Sequence, residues 1–192
     1  MLLLKKPSHE RICAFLDAQR AAPFSYPEQG ATSAQAPLGY TIDHHRIKLG
    51  RGTAGFARAV EAVRQWKMFD TGWISLCWPD MPIQVGSTVA ILVRHYGCWS
   101  LNASRIVYVV DDRGARPRFG FAYGTLTEHA EIGEERFTVE FEPEDETVWY
   151  DIYAFSRPHG LARLGYRLSR RLQKRFARDS LRAIRRATTA GQ

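Results

Sequence analysis

Residues 119–141, FGFAYGTLTEHAEIGEERFTVEF, decide the fold. Side chains alternate along a strand, so Phe119, Phe121, Tyr123 and Thr125 share one face and Gly120, Ala122 and Gly124 the other. A Gly-Ala-Gly face has no bulk, which lets another backbone, a helix or a ligand lie close against it; the final helix of the chain is the candidate. Further on, Phe137, Val139 and Phe141 alternate with Arg136, Thr138 and Glu140. Two strands joined by a polar turn follow, with His129, Glu131, Glu134 and Glu135 assigned to the turn.

Outward from this hairpin the strand pattern continues. Residues 86–96 and 105–111 are β-branched runs bounded by turn signals, and residues 147–156, TVWYDIYAFS, are apolar on both faces. Upstream, residues 8–22 form a short helix capped by Ser8, residues 23–39 a Pro/Gly/Ser/Ala-rich loop, and residues 40–49 a strand. GRGTAG then opens a helix over residues 53–69, and a short strand follows at 73–78. After Arg157-Pro158 a long helix runs to about Arg186, with Leu161, Leu164, Leu168, Leu172, Phe176 and Ile184 as its apolar stripe. Strands in a run with helices segregated define an α+β class. A curved antiparallel β-sheet gripping a long C-terminal amphipathic helix is the expected architecture. That is the helix-grip order of START-type and birch-pollen-allergen-type (Bet v-like) lipid-binding proteins, a fold-level analogy.

The 192 residues are expected to form one domain: helix and loop 1–39, α+β core 40–156, basic helix 157–187. Cys13, Cys77 and Cys98 lack metal-ligand spacing, which fits a reduced cytoplasmic setting. No run approaches the ~18 apolar residues of a spanning helix, so a soluble protein is expected. The net charge of +7 is uneven: residues 157–192 carry +10 and the preceding 156 carry −3. Arg170, Arg171, Lys174, Arg175 and Arg178 are candidates for contact with an anionic membrane surface; a solvated or internally neutralised helix is the simpler alternative. Nucleic acid is disfavoured, since no DNA- or RNA-binding module is present.

GRGTAG matches the Gly-x-Gly-x-x-Gly pattern of dinucleotide sites. The strand before it is too polar for the buried start of a parallel sheet, and no second strand–helix unit follows, so it reads as a tight turn. No cofactor or metal is expected. Asp151 shares a strand face with Trp149, Tyr153 and Phe155, so a partner such as Arg105 is expected. The aromatic excess suggests a cavity for a hydrophobic or amphipathic small molecule lined by Phe121, Tyr123, Trp149, Tyr150, Trp66 and Arg105. The alternative is an enzyme of undetermined class with His129, Glu134 or Glu135 as acid/base beside Tyr123.

FAYGTLTEHAEIGEERFTVE, VWYDIYAFSRP and LARLGYRLSRRLQKRFARDSLRAI together resemble an uncharacterised protein family numbered 0548. So do PLGYTIDHHRIKLGRG and FARAVEAVRQWKMFDTGW upstream. The resemblance covers nearly the whole chain and implies one complete domain found in bacteria and plants, with no assigned activity. It singles out Gly50, Gly52, Trp66, Arg105, Tyr123, Gly124, Thr125, His129, Gly133, Glu134, Glu135, Trp149, Ser156, Arg157 and Pro158.

Overall fold

The computed structural model describes residues 1–78, 80–159 and 165–189. In chain order the elements are β1 (Leu2–Leu3), α1 (His9–Gln19), β2 (Thr41–Arg51), α2 (Thr53–Arg64), β3 (Ile74–Leu76), β4 (Thr88–His95), β5 (Cys98–Asp112), β6 (Arg118–Thr125), β7 (Glu131–Glu142), β8 (Thr147–Pro158) and α3 (Tyr166–Thr189). Short 3-10 turns lie at Ala31–Ser33 and Lys67–Phe69. The expected stripe positions Leu161 and Leu164, and the basic Arg163, lie outside the described residues.

One antiparallel sheet carries the order β2-β8-β7-β6-β5-β4-β3. From β3 to β8 the chain is a meander, and β8 then pairs back onto β2, so α2 and the Lys67–Phe69 turn link opposite edges of the sheet. Strand β5 is longer than the expected 105–111. Its first half pairs with β4 and its second half with β6, with a bulge between Ile106 and Tyr108 where it changes partner. The Tyr96-Gly97 turn joining β4 to β5 has positive φ at both residues, the geometry that suits a two-residue hairpin loop.

The sheet curls, and its two faces are covered differently. The concave face carries Phe121, Phe137, Val139, Tyr150 and Ile152, packed under α2 and α3. Each such side chain contributes about 1.5–3 kcal/mol by leaving water. The convex face is covered by α1, whose Phe15 and Leu16 meet Leu92, Leu101 and Ala103, and by the loop at residues 23–40. Phe155 lies on that side between Tyr26 and Tyr40, with ring centroids 5.6 and 5.0 Å away. This double cover is why β8 is apolar on both faces.

Three expectations are corrected here. The small-residue face of β6 receives the 23–40 loop, not the final helix: a Cβ on Gly124 would sit 2.0 Å from the Tyr26 hydroxyl oxygen, while α3 lies across the opposite face. Residues 131–135 belong to strand β7, not to the turn, which spans only 126–130. Helix α2 stops at Arg64 because Trp66 adopts φ +56°, turning its indole into the core, where Nε1 donates to the Met81 carbonyl at 2.9 Å. The GRGTAG segment is a tight turn as expected: Gly52, at φ +82°, caps α2 at the end of an antiparallel edge strand.

Candidate functional site

Alternation on β7 separates the two adjacent glutamates. Glu134 points to the convex side, where Oε2 accepts from the Tyr26 hydroxyl at 2.6 Å and the Gly30 N–H at 2.8 Å. Its Oε1 accepts from the Thr32 N–H at 3.0 Å and from the Thr32 hydroxyl. Glu134 thus ties the 23–40 loop to the sheet and is not available as an acid or base. Beside it, the Gly133 N–H donates to Thr125 Oγ1 at 2.9 Å, and a Cβ on Gly133 would lie 2.0 Å from the Phe155 carbonyl oxygen. Most of the YGT…GEE signature therefore builds an anchor for a loop.

Glu135 points the other way, into a cleft of about 690 Å³ between the concave face and the first half of α3. Phe69, Tyr123 and Phe176 form its aromatic floor: the Phe69 ring stacks on Phe176 and on Tyr123 with centroids 5.6 and 6.3 Å apart. Ile91 and Val93 from β4, Ile152 from β8, and Leu168 and Leu172 from α3 supply apolar walls. Alternation places Ser100 and Asn102 of β5 on the same side. The Asn102 amide donates to Ser100 Oγ at 3.2 Å, and its Oδ1 accepts from the Ala130 N–H at 3.3 Å.

The cleft exists because α3 is held along one side only. Arg170 grips the Asp43 carboxylate on β2 with both terminal nitrogens, Nη2 to Oδ1 at 2.6 Å. The Ser169 hydroxyl donates to Glu131, and the Gln173 amide donates to Ser156 Oγ at 3.0 Å. These contacts fasten α3 to β2, β7 and β8. Further along, α3 packs fully, with Ala177, Ala183 and Ile184 buried.

The polar groups in the cleft have shifted acidities. Burial lifts the Glu135 carboxyl to about 7, while the Tyr123 hydroxyl, donating to its Oε2 at 2.8 Å, opposes the rise. Burial and the neighbouring Glu135 push the Tyr123 phenol well above its usual range. His129, at the β6–β7 turn, is lowered to about 4 by burial. His129 Nδ1 lies 3.0 Å from the Glu131 N–H and 3.1 Å from the Glu131 carbonyl oxygen, so the Glu131 backbone fixes the ring in place in either tautomer. Glu131 is raised by burial, and Asp43 is held low by Arg170.

Of the expected ligand-lining set, only Tyr123 faces the cleft. Phe121, Tyr150 and Trp66 are buried in the packed core; Phe121 and Trp66 have centroids 4.7 Å apart, and the Tyr150 hydroxyl bonds to Ser180 Oγ at 3.2 Å. Trp149 lies on the convex face under the Arg46 guanidinium, 4.8 Å away. Arg105 satisfies the end of α1 by donating to the carbonyls of Gln19 and Arg20 at 3.0 and 2.8 Å. The ion pair expected between Arg105 and Asp151 is replaced by Arg136 at 3.1 Å and His44 at 2.6 Å. Asn102, His45 and Phe69 were missed as cleft residues. Alternation with Ser104 and Ile106 along β5 could have found Asn102 had the strand been extended that far, but nothing local marked the others.

Not all the basic candidates on α3 are free. Arg170 is bound to Asp43, and Arg175 lies 4.3 Å over the Trp73 ring. Asp179 gathers Arg175, Arg178 and Arg182 at 3.5, 3.1 and 4.0 Å. The carboxylates at the far end of β7 do not reach the helix: Glu140 pairs with Arg46, and Glu142 and Glu144 with Arg116. Arg171 and Lys174 are exposed, and no ion pair involves them among the described residues.

An antiparallel sheet curled around a C-terminal helix, with a ligand-sized cleft between them, places the chain in the helix-grip class. The chain belongs to the family described as Domain of unknown function (DUF1990), whose model matches residues 25–183. A UPF0548 protein of Dictyostelium discoideum is 34% identical over 211 residues, covering 100% of this chain and 98% of the relative. Another UPF0548 protein, from Deinococcus radiodurans, is 34% identical over 200 residues, covering 97% and 98%. Among solved structures, TTHA0849 from Thermus thermophilus is similar at TM-score 0.49 and 13% identity, covering 80% of this chain and 99% of that one. Human STARD10 is similar at TM-score 0.43 and 8% identity, covering 92% and 81%. Among the described residues no helix is long and apolar enough to cross a membrane, and no cluster of three or more metal-ligating side chains occurs.

Proposed function

We propose that this chain binds a hydrophobic or amphipathic small molecule in the cleft between the concave sheet and α3. The carrying observation is the cleft itself: about 690 Å³, inside the range of about 300–1,000 Å³ for small-molecule sites, with apolar walls and a few convergent polar groups. Native mass spectrometry of protein expressed without added compounds, followed by solvent extraction, tests the reading. A co-purifying molecule lost in Leu172→Trp, which fills the cleft, is the expected result. A wild-type protein that carries nothing and fails to bind a neutral apolar fluorophore such as N-phenyl-1-naphthylamine overturns it.

The enzyme alternative now rests on His129 and Glu135 beside Tyr123, all three lining the cleft, since Glu134 is committed to the loop. A carboxyl poised near 7 in a sheltered cleft suits acid–base work. A different observation favours a further role for α3. Arg167, Arg171, Lys174, Arg178, Arg182 and Arg185 are exposed and recur every three or four residues, so they line one outward face. That face fits an anionic phospholipid surface, where each basic residue adds about 1 kcal/mol of attraction.

A further inference from the structure

The charge balance of the cleft is the reverse of the balance of the chain. The protein carries +7 overall, yet no lysine or arginine is among the described residues lining the cleft, whereas Asp43, Glu128, Glu131 and Glu135 are; the Met1 ammonium, also in the lining, is taken up by the Leu101 and Glu128 carbonyls at 2.8 and 3.2 Å. Asp43 is matched by Arg170, and Glu128 is exposed at the turn. Glu131 accepts a hydroxyl from Ser169 and Glu135 a hydroxyl from Tyr123, and neither forms an ion pair among the described residues. Glu135 Oε1 has no protein donor at all among them, although its partner oxygen is held by Tyr123. A carboxyl of this kind, half-buried in an apolar cleft and without a cation, is costly to ionise unless something positive arrives.

Resting on the cleft reading above, we propose that the occupant is a cationic amphiphile whose ammonium group sits at Glu135 and whose apolar part lies against Phe69, Phe176 and Leu172. An ammonium donates directly to Glu135 Oε1, forming the charge-assisted bond that the protein leaves unmade. Phe69, Trp73 and Tyr123 line the same space and give it an aromatic border. A carboxylate amphiphile seated the same way meets the opposite situation, a second anion beside Glu135 with no arginine or lysine of the lining to receive it. The upward shift of the Glu135 carboxyl agrees with a site that lacks its cation.

The experiment is displacement of N-phenyl-1-naphthylamine from the full chain by dodecylamine, dodecanol and dodecanoate, each below its aggregation threshold. Dodecylamine is expected to displace at a concentration at least about tenfold lower than dodecanol, with dodecanoate weakest. Glu135→Gln is expected to reduce the amine-to-alcohol preference to within about threefold, while Glu135→Asp, which keeps the charge, retains most of it. Circular dichroism and melting temperature establish that both variants are folded. Equal displacement by all three compounds, preference for dodecanoate, or an amine preference that survives Glu135→Gln overturns the proposal and leaves the cleft reading standing. Failure of the fluorophore and all three compounds to bind overturns both.

Discussion

The Tyr123 hydroxyl donates to Glu135 Oε2 across 2.8 Å, joining β6 to β7 on the concave face at the floor of the cleft. With His129 nearby on the same cleft, this pair makes stability depend on pH in two opposing ways. Glu135, lifted from 4.5 to about 7 by burial, holds its proton more tightly folded than unfolded. Its contribution is complete below pH 4.5 and is lost as pH rises through about 7. His129, lowered from 6.5 to about 4 by burial, contributes fully above pH 6.5 and loses that contribution as pH falls toward 4. Each effect spans up to about 3 kcal/mol, so they largely cancel where they overlap. Urea denaturation of Glu135→Gln at stepped pH should show stability rising relative to wild type as pH increases through that window. His129→Gln should show it falling. Variants that both track the wild-type profile overturn these assignments.

On the convex face, Glu134 accepts four hydrogen bonds from the 26–32 segment. Glu134→Ala strands those donors and is expected to cost about 3–5 kcal/mol, whereas Tyr26→Phe, which removes one neutral donor, costs about 1–3 kcal/mol. Denaturant midpoints measure both. A Glu134→Ala variant as stable as wild type shows that the loop is not fastened there.

Much of the architecture could be read from alternation alone, because pleating leaves no choice of which residues of β6, β7 and β8 share a face. The same rule separated Glu134 from Glu135. It could not say which face met the last helix. That depended on Tyr26, some 100 residues away in sequence and in a loop whose composition gave no hint of it. Nor could it show that the aromatic excess was mostly spent. Phe121, Trp66 and Tyr150 fill the core, and the cleft is bounded instead by Phe69 and Phe176, which meet only when α2's connection and α3 close over the sheet. Arg105 and Asp151 were sensibly expected to pair, each being an odd charge on a strand. Each found a nearer partner: the open carbonyls at the end of α1 for Arg105, and Arg136 on the neighbouring strand for Asp151.

Gly124 is required by the Tyr26 ring, since a Cβ there would lie 2.0 Å from the hydroxyl oxygen and 2.8 Å from two ring carbons. Gly124→Ala should destabilise the protein by about 1–3 kcal/mol through overpacking. The double variant Gly124→Ala/Tyr26→Phe should lose less than the sum of the two single changes, because the oxygen makes the worst contact. Strict additivity in denaturant titrations would place the strain elsewhere.

The outward face of α3 gives the last prediction. Arg171, Lys174 and Arg185 are exposed and make no ion pair among the described residues, so reversing them removes no partner from the Asp43–Arg170 and Asp179 contacts. Arg171→Glu/Lys174→Glu/Arg185→Glu should therefore fold normally and keep the cleft. Wild-type protein should sediment with phosphatidylserine-containing vesicles and not with pure phosphatidylcholine, and the triple variant should lose at least about a hundredfold in partitioning, at about 1 kcal/mol per basic residue. Raised salt should weaken the wild-type interaction, because exposed charges are screened over about 10 Å at 0.1 M. A cationic amphiphile gathers on the same anionic surface, so this face and the cleft would then work on one supply of ligand. Equal sedimentation with the two kinds of vesicle removes the surface role and leaves the cleft to be judged on its own ligands.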